Sequence, residues 1–278
     1  MSLTIKFLDI GLGTSILIES SETNIIFDCG QDSGNEKNSF KELGDKTLHL
    51  LVLTHPHKDH IGSLISRYYV NPLQIKKNNY IPKYLIEKQI DEANNHHDKW
   101  VFHKYKELND MYTQSVPYEK SYNNPNNNGK IFITHFTPYF GDSEDLNDYS
   151  LATFLLYEGY KMLLMGDNTP KNIVKLMNDR YFKNKIKNID VLLAPHHGRE
   201  SCYVSEFVKH VNPTITIISD SSEINNESAS NKYADNSEGM YVTKNGKREF
   251  RACLTTRNDG DITLTIDDSK KLSIICIK

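Results

Sequence analysis

The chain has no surplus of charge: 33 lysines and arginines stand against 36 aspartates and glutamates, a net of −3 over 278 residues. A protein that coats nucleic acid through bulk electrostatics would be strongly basic, so that class is excluded. An enzyme whose local field comes from bound cations is not. Cysteine is scarce. Cys29, Cys202, Cys253 and Cys276 are scattered without C-x-x-C spacing, so neither a disulfide framework nor a thiolate zinc site is signalled. Reduced thiols in a cytoplasmic setting are the expectation. No apolar run reaches the eighteen or so residues that span a bilayer, and Met1 to Phe7 runs into a strand pattern without a secretory apolar region. No membrane partner is therefore expected. G-x-S-x-G is also missing, which removes the serine nucleophile elbow and leaves water to attack.

What the chain does have is Thr54-His55-Pro56-His57-Lys58-Asp59-His60, directly after the apolar run 48–53. That run is short, branched and continuous, the pattern of a strand buried on both faces. Loops at the carboxyl ends of such strands are where α/β proteins gather functional side chains. Imidazole and carboxylate are ligands that zinc, manganese and iron accept without thiolate. The spacing can serve two ions, His55 and His57 one of them, Asp59 and His60 its neighbour. Three more apolar runs end in the same residue types. Residues 161–165 lead to Gly166-Asp167-Asn168, where a carboxylate can bridge two cations. Residues 190–194 lead to Pro195-His196-His197-Gly198, and residues 24–27 to Asp28-Cys29-Gly30. An aspartate in a turn is commonplace; four strand ends delivering His or Asp point to one shared metal site.

These segments resemble the metallo-β-lactamase-fold hydrolases, whose H-x-H-x-D-H motif corresponds to residues 55–60. The closer resemblance is to the hydrolase domain of the ComEC/Rec2 competence DNA-uptake proteins and its free-standing relatives. Their opening D-V-G-Q-G-D-(A/S)-x-L-I is similar to residues 9–18, and their L-x-D-x-G to Phe27-Asp28-Cys29-Gly30. Their N-x-x-S-L, G-D, H-H-G and T-x-x-D-G-x-I elements resemble residues 147–151, 166–167, 196–198 and 256–262. The likeness runs almost end to end and is interrupted mainly at 72–130. It implies an α/β protein: a single four-layer αβ/βα metallo-β-lactamase sandwich over residues 1–278, with a helical and low-complexity insertion at about 72–130. Two departures stand out. The opening turn has Leu12 and Thr14 in place of Gln and Asp, and the usual third-motif histidine is absent. Asn147-Asp148-Tyr149-Ser150 stands there instead, and His135 comes too early in the chain to replace it.

The expected cofactors are two divalent ions, zinc or manganese, the second weakly held. His55, His57 and His196 would hold one, Asp59 and His60 the other, with Asp167 between them. His196 is favoured over His197 because it comes first after the strand and related nucleases carry a single histidine there. Asp59 and Asp167 are the candidate catalytic residues. Asn147, Asp148 and Ser150, by family position, would place the substrate, and Asp28 and His197 would support the site. The chemistry is hydrolysis by a metal-bound hydroxide. The resemblance suggests a phosphodiesterase acting on DNA, with a protein partner from a multi-component system also in view. The alternatives are an ester, lactone, thioester or cyclic-nucleotide hydrolase of the same fold, or a metal-binding regulatory module with a weakened site.

The remaining sequence reads as scaffold. Strands are expected at 3–10, 15–20 and 24–28, with a helix from about Ile61. Residues 82–114 read as helical, and Tyr122 to Gly129 as an asparagine-rich loop. Pro170 to Lys187 reads as one helix opened by proline. Ser219 to Asn236 is expected as a long loop at the site mouth. Asn245-Gly246 and Asp259-Gly260 are expected as hairpin turns.

Overall fold

The computed structural model describes residues 2–31, 37–137, 143–221 and 227–278. The first half of the chain runs β1 (Leu3–Phe7), β2 (Ser15–Ser20), β3 (Asn24–Cys29), α1 (Ser39–Leu43), β4 (Leu50–Val52), α2 (Lys58–Ile61), β5 (Gln74–Lys76), α3 (Lys83–Glu92), α4 (His96–Met111) and β6 (Phe132–Phe136). It continues through β7 (Ala152–Tyr157), β8 (Tyr160–Leu164), α5 (Pro170–Asn178), α6 (Arg180–Lys185), β9 (Val191–Leu193), α7 (Ser205–Val211), β10 (Ile215–Ile218) and α8 (Ser230–Asp235). The last part is β11 (Met240–Lys244), β12 (Lys247–Arg251), β13 (Cys253–Thr255), α9 (Thr256–Asp259), β14 (Asp261–Ile266) and β15 (Leu272–Ile277).

The strands form two sheets, nine strands in the order β12-β11-β15-β14-β1-β2-β3-β4-β5 and six in the order β13-β10-β9-β8-β7-β6. Period-two alternation sorts their side chains. Ile5, Phe7, Ile16, Ile25 and Val52 of the large sheet meet Leu155, Met162, Val191 and Ile217 of the small one. The opposite faces are covered by helices. Leu17, Ile26 and Leu51 lie under Phe40, Ile61, Val101 and Tyr105. Phe154, Leu163 and Leu192 lie under Ile173, Phe182, Phe207 and Tyr233. The result is the expected four-layer αβ/βα sandwich. β4 and β9 are buried on both faces, which is why their sequences show no alternation.

β3, β4 and β5 run parallel, and so do β8, β9, β10 and β13. Their carboxyl ends therefore open on one rim, where ligands bind in open α/β sheets. Among the described residues no helix is long and apolar enough to cross a membrane.

Four local readings change. The helical stretch 82–114 is two helices, because Asn95 leaves the helix and caps α4 by accepting from Asp98 N. Pro170–Lys187 breaks likewise at Asp179, whose carboxylate accepts from Tyr181 N and Phe182 N. The stretch Ser219–Asn236 contains helix α8, although residues 222–226 lie outside the described residues. Asp259-Gly260 does not turn a hairpin. It ends the single helical turn α9, by which the chain crosses from β13 in one sheet to β14 in the other. The Asn245-Gly246 hairpin is formed as expected.

Asp259 holds that crossing together. Fully buried, it takes two hydrogen bonds from Arg251 at 2.8 and 3.1 Å, one from Lys244 Nζ at 2.8 Å and one from Thr255 N at 2.8 Å. Burial pushes its pKa up, but the Arg251 and Lys244 bonds outweigh this and leave it below the ordinary value. Asp259→Ala strands two part-buried cations, so a loss of about 3 kcal/mol is expected in urea unfolding. Because the folded pKa is the lower one, this stabilisation is complete above about pH 4 and is lost as pH falls. The difference between wild type and Asp259→Ala should therefore shrink on acidification, and a constant difference would refute the assignment.

Candidate metal centre

The rim is built on Asp28. This residue, at the end of β3, has a left-handed backbone (φ 51°) and is fully buried. Its carboxylate accepts from Thr54 N and from Thr54 Oγ1, both at 2.8 Å, and from His60 Nδ1 at 2.7 Å. One carboxylate thus ties β3 to the loop after β4 and turns the His60 ring so that Nε2 faces inward. Binding a ring nitrogen from behind in this way fixes the tautomer of a metal-binding histidine.

Four ligand-type residues meet in front of it. Asp59, His60, Asp167 and His197 each offer an atom, and these atoms all lie within 4.8 Å of one another. His60 Nε2 is 3.0 Å from Asp167 Oδ1 and 3.4 Å from His197 Nε2, and His197 Nε2 is 3.1 Å from Asp59 Oδ2. A tetrahedron with metal–ligand bonds of about 2.1 Å has edges of roughly 3.4 Å, so the donor set fits a divalent cation in size and in chemistry. His197 Nδ1 is occupied by the Ser219 carbonyl at 2.8 Å, which leaves Nε2 for the centre.

A second group shares Asp167. Its Oδ2 lies 3.8 Å from His55 Nε2 and 3.8 Å from His196 Nε2, and His55 Nε2 is 3.0 Å from His57 Nδ1. His55 Nδ1 is backed by Thr54 Oγ1 at 3.1 Å, and His196 Nδ1 by Cys202 Sγ at 3.3 Å. Asp167 therefore stands between the two groups, with its own N–H donating to Ser150 Oγ at 2.8 Å.

The neighbouring histidines divide between the groups. His196 and His197 both have left-handed backbones (φ 49° and 54°), which carries successive side chains to different sides of Asp167. Sequence order favoured His196 as the ligand and gave His197 a supporting role. The geometry instead puts His197 with Asp59 and His60, and leaves His196 facing the His55 side.

The electrostatics show what the cluster is short of. Burial alone would lower the pKa of His60, yet Asp167, Asp28 and Asp59 together raise it far above its ordinary value. His197, also against its burial, is pushed up to about 10, with Asp167 as the main cause. Asp167 is held well below the carboxylate range by His60 and His197 despite full burial. The carboxylates hold protons on the imidazoles they crowd, and the site attracts positive charge.

Some expected residues stand elsewhere. Asp148 is turned away toward Thr169 Oγ1 and Ser143 Oγ, and the Asn147 carbonyl accepts from Asn172, so both support the start of α5. His135 bonds Thr153 and Asn123 across its own sheet edge. Thr14 contributes through its backbone, donating to Asp59 O at 3.0 Å and accepting from Gly30 N. The supporting roles of Thr54, Ser219 and Cys202 were not read from the sequence. Nothing marks a carbonyl or a lone hydroxyl until the strands are placed. Nor was the close packing of Gly30 legible, where an added Cβ would collide with Asp59 O.

Residues 8–66 match the model of the metallo-beta-lactamase superfamily. No curated protein matches the chain in sequence. Among solved structures, the chain is similar to the metallo-beta-lactamase fold protein YhfI from Bacillus subtilis, with 12% identity over 77% of this chain and 85% of that one and a TM-score of 0.41. It is similar to a metallo hydrolase, Igni18, from the archaeon Ignicoccus hospitalis, with 13% identity over 77% and 81% and a TM-score of 0.45. The short form of human tRNase Z matches with 12% identity over 80% and 94% and a TM-score of 0.45.

Two substitutions test the construction. Asp28→Asn removes the anion behind His60 and should weaken metal binding about 10- to 100-fold in a zinc titration. Gly30→Ala should displace the Asp59 carbonyl and reduce metal content in a folded protein, whereas normal content would contradict the close packing described here.

Proposed function

We propose that this chain is a metal-dependent hydrolase and, more specifically, a phosphodiesterase that cuts DNA. The observation that carries the hydrolase reading is the convergence of Asp59, His60, Asp167 and His197, with ligating atoms within 4.8 Å of one another. Two divalent cations, zinc or manganese, held by this group and by His55, His57 and His196 around Asp167, would supply activated water and polarise the bond to be broken.

The protein's own residues orient and exclude. Asp28 and Ser219 O hold the rings of His60 and His197 from behind. Ser150 fixes the backbone of Asp167. His55 and His60 are fully buried, whereas the Asp59 side chain is 30% exposed, the open member of the cluster. Were the second ion absent, Asp59 would be the carboxylate open to incoming water and able to take its proton. Support for DNA as the substrate comes from the ComEC/Rec2-like segments. Two of them lie against the cluster: the opening turn through Thr14 on Asp59, and residues 147–151 through Ser150 on Asp167.

The test is hydrolysis of labelled single- and double-stranded DNA with Mn²⁺ or Zn²⁺, beside His57→Ala and Asp167→Asn. Cleavage that needs metal and falls by at least about 100-fold in both variants is expected. Bound metal without cleavage would reject DNA and shift the assignment to small esters, lactones or cyclic nucleotides. A chain that takes up no metal would instead leave a regulatory module.

A further inference from the structure

The rim holds a second polar site, on the flank of the metal loop. A cavity of about 220 Å³ opens beside edge strand β5, lined by Gln74, Lys76, Lys77, Asn79, Ser121 and Asn123 among others, and among the described residues no Asp or Glu lines it. That volume is several times the ~30 Å³ share of one water in the liquid. It admits a tetrahedral oxyanion.

Its two lysines are poorly compensated. Lys77 is 8% exposed, and its ammonium donates to Asn79 Oδ1 at 2.9 Å, a neutral partner. Lys76 is part-buried, and among the described residues its ammonium has no hydrogen bond or ion pair. Burial pushes both pKa values down; no carboxylate acts on Lys76, and only Asp110 partly offsets the effect on Lys77. Desolvated ammonium groups without a counter-charge destabilise a fold unless something occupies the space before them. The nearby His135 adds no positive charge, since burial and then Lys76 lower it to about 3. Ser121 Oγ accepts from Asn123 N at 3.1 Å, and its own proton is donated to no described residue. The wall is fixed, because the Gln74 amide bonds Lys120 O and Tyr122 N.

The pocket is bonded to the metal site through the backbone. Leu53 N, two residues before His55, donates to Lys76 O at 2.9 Å. Asn78 Nδ2 donates to Tyr149 O at 2.7 Å, next to the Ser150 that holds Asp167.

We propose that this pocket is an anion site that binds a phosphate group through Lys76, Lys77 and the Ser121 hydroxyl. The phosphate has two candidate sources: a backbone phosphate of a nucleic-acid strand at the metal centre, or free phosphate. The first source rests on the phosphodiesterase reading; the second is independent of it.

The experiment uses the full chain in chelator, so that phosphate cannot bind through a metal. Thermal unfolding is followed against inorganic phosphate, with chloride at matched ionic strength, for wild type and Lys76→Met. Phosphate should raise the midpoint of the wild type and leave Lys76→Met unmoved. In chloride alone Lys76→Met should melt higher than wild type, having lost an unpaired, part-buried charge. An equal phosphate shift in both proteins, or none in either, overturns the proposal. Ser121→Ala, whose phosphate shift should be reduced, keeps the test decisive if Lys76→Met does not fold. A labelled single-stranded oligonucleotide in the same buffer separates the sources. Binding about tenfold weaker in Lys76→Met and competed by phosphate assigns the pocket to the strand. Unchanged oligonucleotide binding beside a lost phosphate shift assigns it to free phosphate. Failure of metal-dependent DNA cleavage would leave the phosphate shift standing.

Discussion

Three carboxylates, Asp28, Asp59 and Asp167, act on one buried imidazole, His60, and the rest of the rim is organised around that crowding. Like charges this close are tolerated only when protons or cations stand between them. The fold supplies some compensation from neutral groups: Thr54 donates to Asp28 twice, through its N–H and its hydroxyl. His197 adds a second basic group from the opposite sheet. The positions of β3, β4, β8 and β9 follow from the burial of their apolar side chains. The sign of the site follows from what each strand carries at its end.

Much of this was written in the chain, for a physical reason. A strand buried on both faces leaves a continuous apolar run, and a polar residue directly after it must lie at a rim. His55, His57, Asp59, His60 and Asp167 were legible in that way, whereas the layering of the sheets was implied by the resemblance to metallo-β-lactamase-fold hydrolases. The division of labour between His196 and His197 was not. It depends on two successive left-handed residues, and histidine is not a residue whose type announces that backbone. Capping was similarly hidden. Asn95 and Asp179 each split an expected helix, because a side chain that accepts a backbone N–H competes with the helix itself. The crossing at Asp259-Gly260 has the residues of a hairpin turn, and only the buried salt links to Arg251 and Lys244 explain why it joins two sheets instead.

The two ends of the rim are chemically opposed. At the metal centre three carboxylates crowd His60, while the β5 pocket has two lysines and, among the described residues, no acid in its lining. Main-chain bonds from Leu53 to Lys76 and a side-chain bond from Asn78 to Tyr149 join the two regions. With divalent cations bound at the acidic end, a molecule carrying several phosphates would meet attraction at both, whereas a neutral ester would meet it only where it reacts. On these proposals the rim would discriminate by charge pattern along its length as well as by the shape of one pocket.

The parallel strands also set an order of assembly. His60 and His197 are 137 residues apart in the chain, and the carbonyl that orients His197 comes later still, from Ser219. β1, near the middle of the large sheet, is flanked on one side by β14, with Leu3 opposite Ile266. During synthesis, then, the first strands emerge with one edge unsatisfied, and the metal-loop histidines emerge long before their partners. A growing chain presents His55, His57 and His60 without Asp167, His196 and His197 of the other sheet. The site needs residues from both sheets, so its ability to hold a cation would report that the two have come together.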